Sequence, residues 1–412
     1  MLIAEILTLI VDRIDFFVIC LVFSGVISVL LSYAILRRIF NGMITAQIAF
    51  ICNFAVMIFL ATVGYLSLGR FIHFAFVELF VIVFMYLIYR GILNNRAPLL
   101  LRINQLPVVK LAIGISLVTA LMIVLNQFVV PTDGSSRIRY MTFWWYSYLR
   151  LIITVVTPLG YFLAINLLES RKYTLSLLLT SALIVQSATS GSKAGFLMSI
   201  LGMGMLHRDL NNSKIKIIRV NPFWAVFAFV FVLGSAVVVL DQMGLGLNDV
   251  LIRLLMNAEA TIMVYLAIDP TEACHGVTLF AALHRGVARL FHDPSATNID
   301  TLFGFALNTI QYGLNTFTGP NSSIPAYFSC NFPGLSLFWG VSAVLGYTAI
   351  VRYFLRIQIF MARNPAVWLL PFAVGSINNF PQDYYTGMSD LTIIIIVSIY
   401  FAFAKSFAAH SR

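Results

Sequence analysis

The sequence predicts an all-α, polytopic integral membrane protein, a helical bundle of about eleven transmembrane helices with one long outer loop that contains amphipathic helices. Three observations predict it. Hydrophobic residues make up 60% of the 412-residue chain and charged residues only 10%, with a mean hydropathy of +0.93, whereas roughly a quarter of a soluble domain is charged. Apolar runs of about twenty residues, each long enough to cross about 30 Å of hydrocarbon, recur along the whole length. The basic residues between those runs are sorted unequally to the two sides they define.

The runs begin near Phe16, Met43, Phe71, Val108, Leu149, Tyr173, Ala194, Pro222, Leu335, Ala366 and Leu391. Glu5, Asp12 and Asp15 precede the first run where a cleavable signal would carry basic residues, so no cleavage is expected. With the N-terminus outside, the inner connections hold Arg37, Arg38, Arg90, Arg96, Arg102, Lys110, Arg171, Lys172, Arg208, Lys214, Lys216, Arg219, Arg352, Arg356, Arg363, Lys405 and Arg412, which is 17 of the 26 basic residues. The outer side holds the remaining nine: Arg13, Arg70, Arg137, Arg139, Arg150, Lys193, Arg253, Arg285 and Arg289. The positive-inside rule therefore places the N-terminus outside and the C-terminus inside. The formal charge of +10 is scattered in singles and pairs; it reads as a topology signal and not as a nucleic-acid surface.

Three regions follow: 1–240 with the first eight spans, a large outer loop at 241–333, and 334–412 with the last three spans. The loop stands apart. It carries seven of the sixteen acids (Asp241, Asp249, Glu259, Asp269, Glu272, Asp293, Asp300) and three of the six histidines (His275, His284, His292). Loops on a rigid scaffold are where function concentrates, so chemistry is expected there. Within it, residues 250–268 are nearly long enough to span but include Arg253, Asn257 and Glu259. Burying Arg253 at mid-bilayer would cost about 2.5–3.5 kcal/mol, and the stretch is read as an interfacial or re-entrant helix.

No Walker A loop, dinucleotide fingerprint, HExxH or DxD pair occurs, and the histidines lack ligand spacing. Neither a metal nor a cofactor is expected, and ATP-driven and nucleotide-sugar mechanisms are disfavoured. In HRGVARLFHD, Arg285, Arg289 and His292 share one face of a helix at i, i+4 and i+7. Arginine forks match phosphate oxygens, so a diphosphate at headgroup level fits that face; a basic helix that merely snorkels to anionic lipid is the plainer alternative. In SATSGSKAGF, two apolar runs meet around Lys193, which either holds an anion or anchors a helix end. Arg253 and Glu259 are six apart and cannot pair on one helix face. Arg137 and Arg139 lead into the aromatic string MTFWWYSY, an interfacial belt or a sugar-stacking surface. Asp383, Tyr384 and Tyr385 in INNFPQDYY either line a carbohydrate groove or mark the interface.

Three of these features resemble the bacterial O-antigen polymerases, the oligosaccharide repeat-unit polymerases related to O-antigen ligases. They are the junction SGSKAG between two spans, similar to the family's SGSR or TGSR turn, the single long outer loop, and the segment GPNSSIPAYFSCNFPGLSLFWG returning to the membrane. The resemblance covers about residues 173–351. It implies a metal-independent glycosyl transfer between lipid-linked sugars on the periplasmic face of the bacterial inner membrane, with undecaprenyl diphosphate as leaving group. The implied partners are the undecaprenyl-diphosphate-linked oligosaccharide, membrane lipid, a chain-length regulator and a flippase. By the same resemblance Lys193 stands where the family has an arginine that holds the diphosphate, with Arg253 or Arg285 as the second cation. Pro320 precedes Asn321 where ligases carry a histidine, so His284 or Glu259 would act as base, with Asn321 beside them. Arg139, Arg289, His292, Asp383 and Tyr384 complete the expected glycan and diphosphate contacts.

A flippase for the same lipid-linked oligosaccharide is the rival class, and its charges should line the spans; an O-antigen ligase differs only in its acceptor. Of the four cysteines, Cys20 and Cys52 fall in the first two spans and Cys274 and Cys330 in the loop. Only the loop pair would meet an oxidising compartment, and a bond between them would close about fifty-five residues for roughly 4 kcal/mol.

Overall fold

The computed structural model describes residues 2–39, 41–94, 107–129, 144–189, 195–211, 258–267, 307, 323–332, 335–361, 365–380, 390–396 and 399. Every regular element among them is helical. In chain order these are α1 (Leu2–Asp12), α2 (Ile14–Leu36), α3 (Ile44–Thr62), α4 (Leu68–Asn94), α5 (Val108–Val129), α6 (Trp144–Glu169), α7 (Tyr173–Thr189) and α8 (Gly195–Asn211). They continue with α9 (Glu259–Ile262) and its π-helical extension Met263–Ala267, then α10 (Ile324–Asn331), α11 (Ser336–Met361) and α12 (Pro365–Asn379). Five described helices are long and apolar enough to cross a bilayer: α2, α3, α4, and the Val108–Leu125 and Ile152–Glu169 parts of α5 and α6. The chain is a helical transmembrane protein. Helices also begin near the expected positions Tyr173, Ala194, Leu335 and Ala366, and the run from Pro222 lies outside the described residues. One element was not expected: α1, which buries Ile6 and Ile10 along one face before the chain breaks at Arg13.

The surface of α2 shows why such a sequence needs lipid. Many of its aliphatic side chains point outward, with Val22 and Leu30 each 62% exposed, while Ser24, Ser28 and Ser32 are buried. The serines recur every fourth residue and form one stripe. Small polar residues on the packed face and aliphatic ones outside are the pattern of a membrane helix, where lipid solvates the aliphatics and small side chains let backbones approach.

The chain packs as two compact units, one comprising Met1–Asn94, Ile252–Ala362 and Ser376–Arg412, the other Asn95–Leu251 and Arg363–Gly375. In the first unit, α2, α3 and α4 pack on one another, and α10 and α11 pack on α4. The α2–α3 turn is held by polar groups. Arg37 ends α2 in the left-handed region (φ 58°), its N–H donating to the Tyr33 carbonyl at 2.9 Å. Asn41 donates to Ser32 Oγ at 2.7 Å and accepts from the Met43 N–H at 2.7 Å, while Gln47 donates to the Ile39 carbonyl at 3.1 Å. The Gly42 N–H donates to the Tyr89 hydroxyl at 3.2 Å, and a Cβ at this position would run into that hydroxyl. Asn378, at the end of α12, donates to the Gly42 carbonyl at 2.7 Å and accepts from the Ala46 N–H at 3.4 Å. Beside it, Tyr347 of α11 bonds Ser376 Oγ at 2.6 Å and stacks on Phe380.

The second unit is built on α5, α6, α7 and α8, with α6 packing on each of the other three. Gly160 lets α6 and α7 come close, since a Cβ there would meet Leu183 Cδ1 at 2.8 Å. The α6–α7 turn closes through Arg171 (φ 60°), with the Lys172 N–H donating to the Leu167 carbonyl at 2.9 Å. The buried His207 of α8 places Nε2 2.9 Å from Asn166 Oδ1 and Nδ1 3.5 Å from Glu169 Oε1. These polar pairs fix helix register where apolar packing alone is permissive.

Candidate functional site

Two short segments from the polar loop of the sequence fold onto the first turns of α4. Residues 258–265 are almost wholly buried, with Ala258, Thr261 and Met263 at 0% exposure. Their helix widens into a π-turn, a local irregularity that recurs at functional sites because it re-aims side chains and frees backbone groups. The Tyr265 carbonyl, in that turn, accepts from Arg70 Nη1 at 2.7 Å. The hydroxyl of Tyr265 lies 3.0 Å from His73 Nδ1 and 2.8 Å from Ser329 Oγ. Its ring meets Phe74 edge-on. One tyrosine therefore ties α4, the π-turn and α10 together.

The second segment is α10, eight residues long and largely buried. Ser323 stands at its start with extended backbone, Pro325 follows at the second helical position, and Ser323 Oγ lies 3.0 Å from Thr261 Oγ1. Asn331 turns back to donate to the Tyr327 carbonyl at 2.9 Å. Cys330, 1% exposed, is disulfide-bonded, whereas Cys20 and Cys52 carry free thiols. The sequence holds one other cysteine, Cys274, which lies outside the described residues.

Of the residues the sequence nominates for chemistry, Glu259 lies among the described residues, opening α9 six residues before Tyr265. It is half-buried, and burial pushes its carboxyl pKa up from the ordinary glutamate value. His284, Asn321, Lys193, Arg253, Arg285, Arg289, His292, Arg139, Asp383 and Tyr384 lie outside the described residues. The cluster itself was not read from sequence. Arg70 served there only as a topology charge and His73 was passed over, although their i, i+3 spacing in GRFIHF puts both on one face at the very start of a span.

Arg70 is exposed and commits Nη1 to Tyr265. A guanidinium has five N–H donors, so donors beyond that bond remain, among the described residues, to receive an anion. Among the described residues no group of three histidine, cysteine or carboxylate side chains converges as a metal site.

A second polar centre lies deeper along α4. Glu78 is 3% exposed, and its Oε1 accepts from Asn53 Nδ2 of α3 at 3.4 Å. Among the described residues, its Oε2 and the Asn53 Oδ1 have no hydrogen-bond partner. Two turns further, the Tyr86 hydroxyl faces Ser28, Gln47 and Ser32 without reaching hydrogen-bond geometry to any of them.

No family model, no curated protein and no solved structure matches the chain.

Proposed function

We propose that the protein is a metal-independent glycosyltransferase that polymerises undecaprenyl-diphosphate-linked oligosaccharide repeat units into surface polysaccharide. In this reading about eleven spans hold it in a bacterial inner membrane with the N-terminus periplasmic and the C-terminus cytoplasmic. The observation that carries it is the seating of the Glu259–Ala267 segment on α4 through Arg70, His73, Tyr265 and Ser329. That seating fixes part of the acid- and histidine-rich loop against a rigid span, with an arginine on the span and a half-buried carboxyl in the same segment of the loop. Cleaving a sugar–phosphate bond develops negative charge on the diphosphate, which prepositioned cations stabilise most in the transition state. Arg70 joins Lys193, Arg253, Arg285 and Arg289 as a candidate for that task, and Glu259 or His284 would take the acceptor hydroxyl's proton. The disulfide at Cys330 supports an oxidising, outer compartment for this loop.

A second reading, transport of the same lipid-linked oligosaccharide, is favoured by one observation, the buried carboxyl of Glu78 within a span, since intramembrane ionisable groups mark transport pathways. One experiment separates them. Protein reconstituted in liposomes with lipid-linked repeat units and no nucleotide sugar should yield a ladder of oligomers on a gel. Movement of the repeat unit across the bilayer without a ladder would replace polymerisation by transport.

A further inference from the structure

Glu78 sits in the apolar helix α4, packed against α2, α3, α10 and α11. An ionised carboxylate taken out of water needs cations or several short hydrogen bonds, and otherwise it neutralises. Glu78 has neither. Its one hydrogen bond, from Asn53, is 3.4 Å long, beyond the usual N–H···O range of about 2.7–3.2 Å and well beyond the roughly 2.7–2.9 Å of a bond to a charged oxygen. The groups around it are few. Among the described residues, Asn53 comes from α3 and is uncharged, and Tyr265 of the π-turn interacts electrostatically with it. Arg70 and His73 stand more than a turn away on α4 and are engaged with Tyr265. Among the described residues no other side chain forms an ion pair or hydrogen bond with it.

The two orphan atoms on this pair are both acceptors, Glu78 Oε2 and Asn53 Oδ1. A single hydrogen between them satisfies both at once, because a neutral carboxylic acid and a primary amide each offer one donor and one acceptor on the same edge. We propose that Glu78 is a membrane-embedded proton-binding site, a neutral carboxylic acid whose Oε2–H donates to Asn53 Oδ1 while Oε1 accepts from Asn53 Nδ2. The ligand is the proton itself, and the site is independent of whether the protein polymerises or transports its oligosaccharide.

The test is infrared spectroscopy of the full-length protein in liposomes at pH 7, where an exposed glutamate of pKa about 4.3 is almost wholly ionised. Expected is the carbonyl band of a protonated carboxyl that moves in heavy water, moves when the protein is grown on glutamate with a heavy carboxyl carbon, and is missing from Glu78→Gln. The chain has five glutamates, Glu5, Glu78, Glu169, Glu259 and Glu272, so the isotope narrows the band to these. Asn53→Ala should move the band toward the frequency of an acid without a partner, which keeps the proposal testable if Glu78→Gln does not fold. Absence of any protonated glutamate band at pH 7, a band that survives Glu78→Gln, or a band unmoved by Asn53→Ala would each overturn it. A band abolished by sodium ions at constant pH would assign the site to a metal cation and overturn it as well.

Discussion

The Tyr265 hydroxyl lies 3.0 Å from Nδ1 of His73, joining residues 192 positions apart in the chain, and the same oxygen lies 2.8 Å from Ser329. The hydroxyl can donate to one neighbour and accept from the other, so its removal takes one hydrogen bond from each of two part-buried groups, at about 0.5–1.5 kcal/mol per bond. Tyr265→Phe keeps the ring against Phe74 and should still insert, while oligomer formation in liposomes falls about tenfold, equivalent to about 1.4 kcal/mol. Full activity in this variant would show that the cluster does not position the site.

Arg285→Ala and Arg289→Ala should each remove most polymer while membrane insertion is unchanged, because the basic face of their helix is expected to supply diphosphate donors and not topology. Lys193→Arg should retain more activity than Lys193→Ala, since positive charge is the shared property. Near-normal ladders from both arginine variants, or equal losses from both lysine variants, would remove these residues from the site.

Alkylation in denaturant followed by mass measurement should count two labels without reductant, on Cys20 and Cys52, and four after reduction. Three or more labels without reductant would exclude the intrachain bond. Cys330→Ser should lower stability by about 2–5 kcal/mol, the usual consequence of removing a native disulfide, read as a lower midpoint in thermal unfolding of the purified protein.

Asn378→Ala removes one bond given and one received, leaving the Gly42 carbonyl and Ala46 N–H in a buried turn without those partners. A loss of about 1–3 kcal/mol is expected. Gly42→Ala should be of similar or greater effect because Tyr89 must move to admit the methyl group. An unchanged thermal midpoint in both would mean that the turn tolerates solvent or an alternative closure.

The spans were legible because hydropathy over twenty residues integrates many weak signals, and α2 to α6 lie where the apolar runs begin. The polar interior was less so. Ser24, Ser28 and Ser32 are spaced for one face, yet sequence alone does not say whether that face meets lipid or protein. Glu78 was visible as a carboxylate inside an apolar run and was overlooked in favour of the loop. The Tyr265 cluster could not be assembled by periodicity, since Arg70, His73, Tyr265 and Ser329 come from three separated segments and meet only through tertiary packing. For α10, the Ser-x-Pro start was readable as a helix opening, but its burial depends on α4 and α11.

The closure of the α2–α3 turn by Asn378 also has a meaning in time. Ala46 and Asn378 are 332 residues apart, and at about 5–20 residues per second a ribosome needs on the order of tens of seconds to make the chain between them. During that interval the first hairpin is in the membrane with its turn capped without Asn378, by groups that include Asn41, Gln47 and Tyr89. The N-terminal hairpin is thus born before its last clasp exists, and the emergence of α12 is the event that completes it.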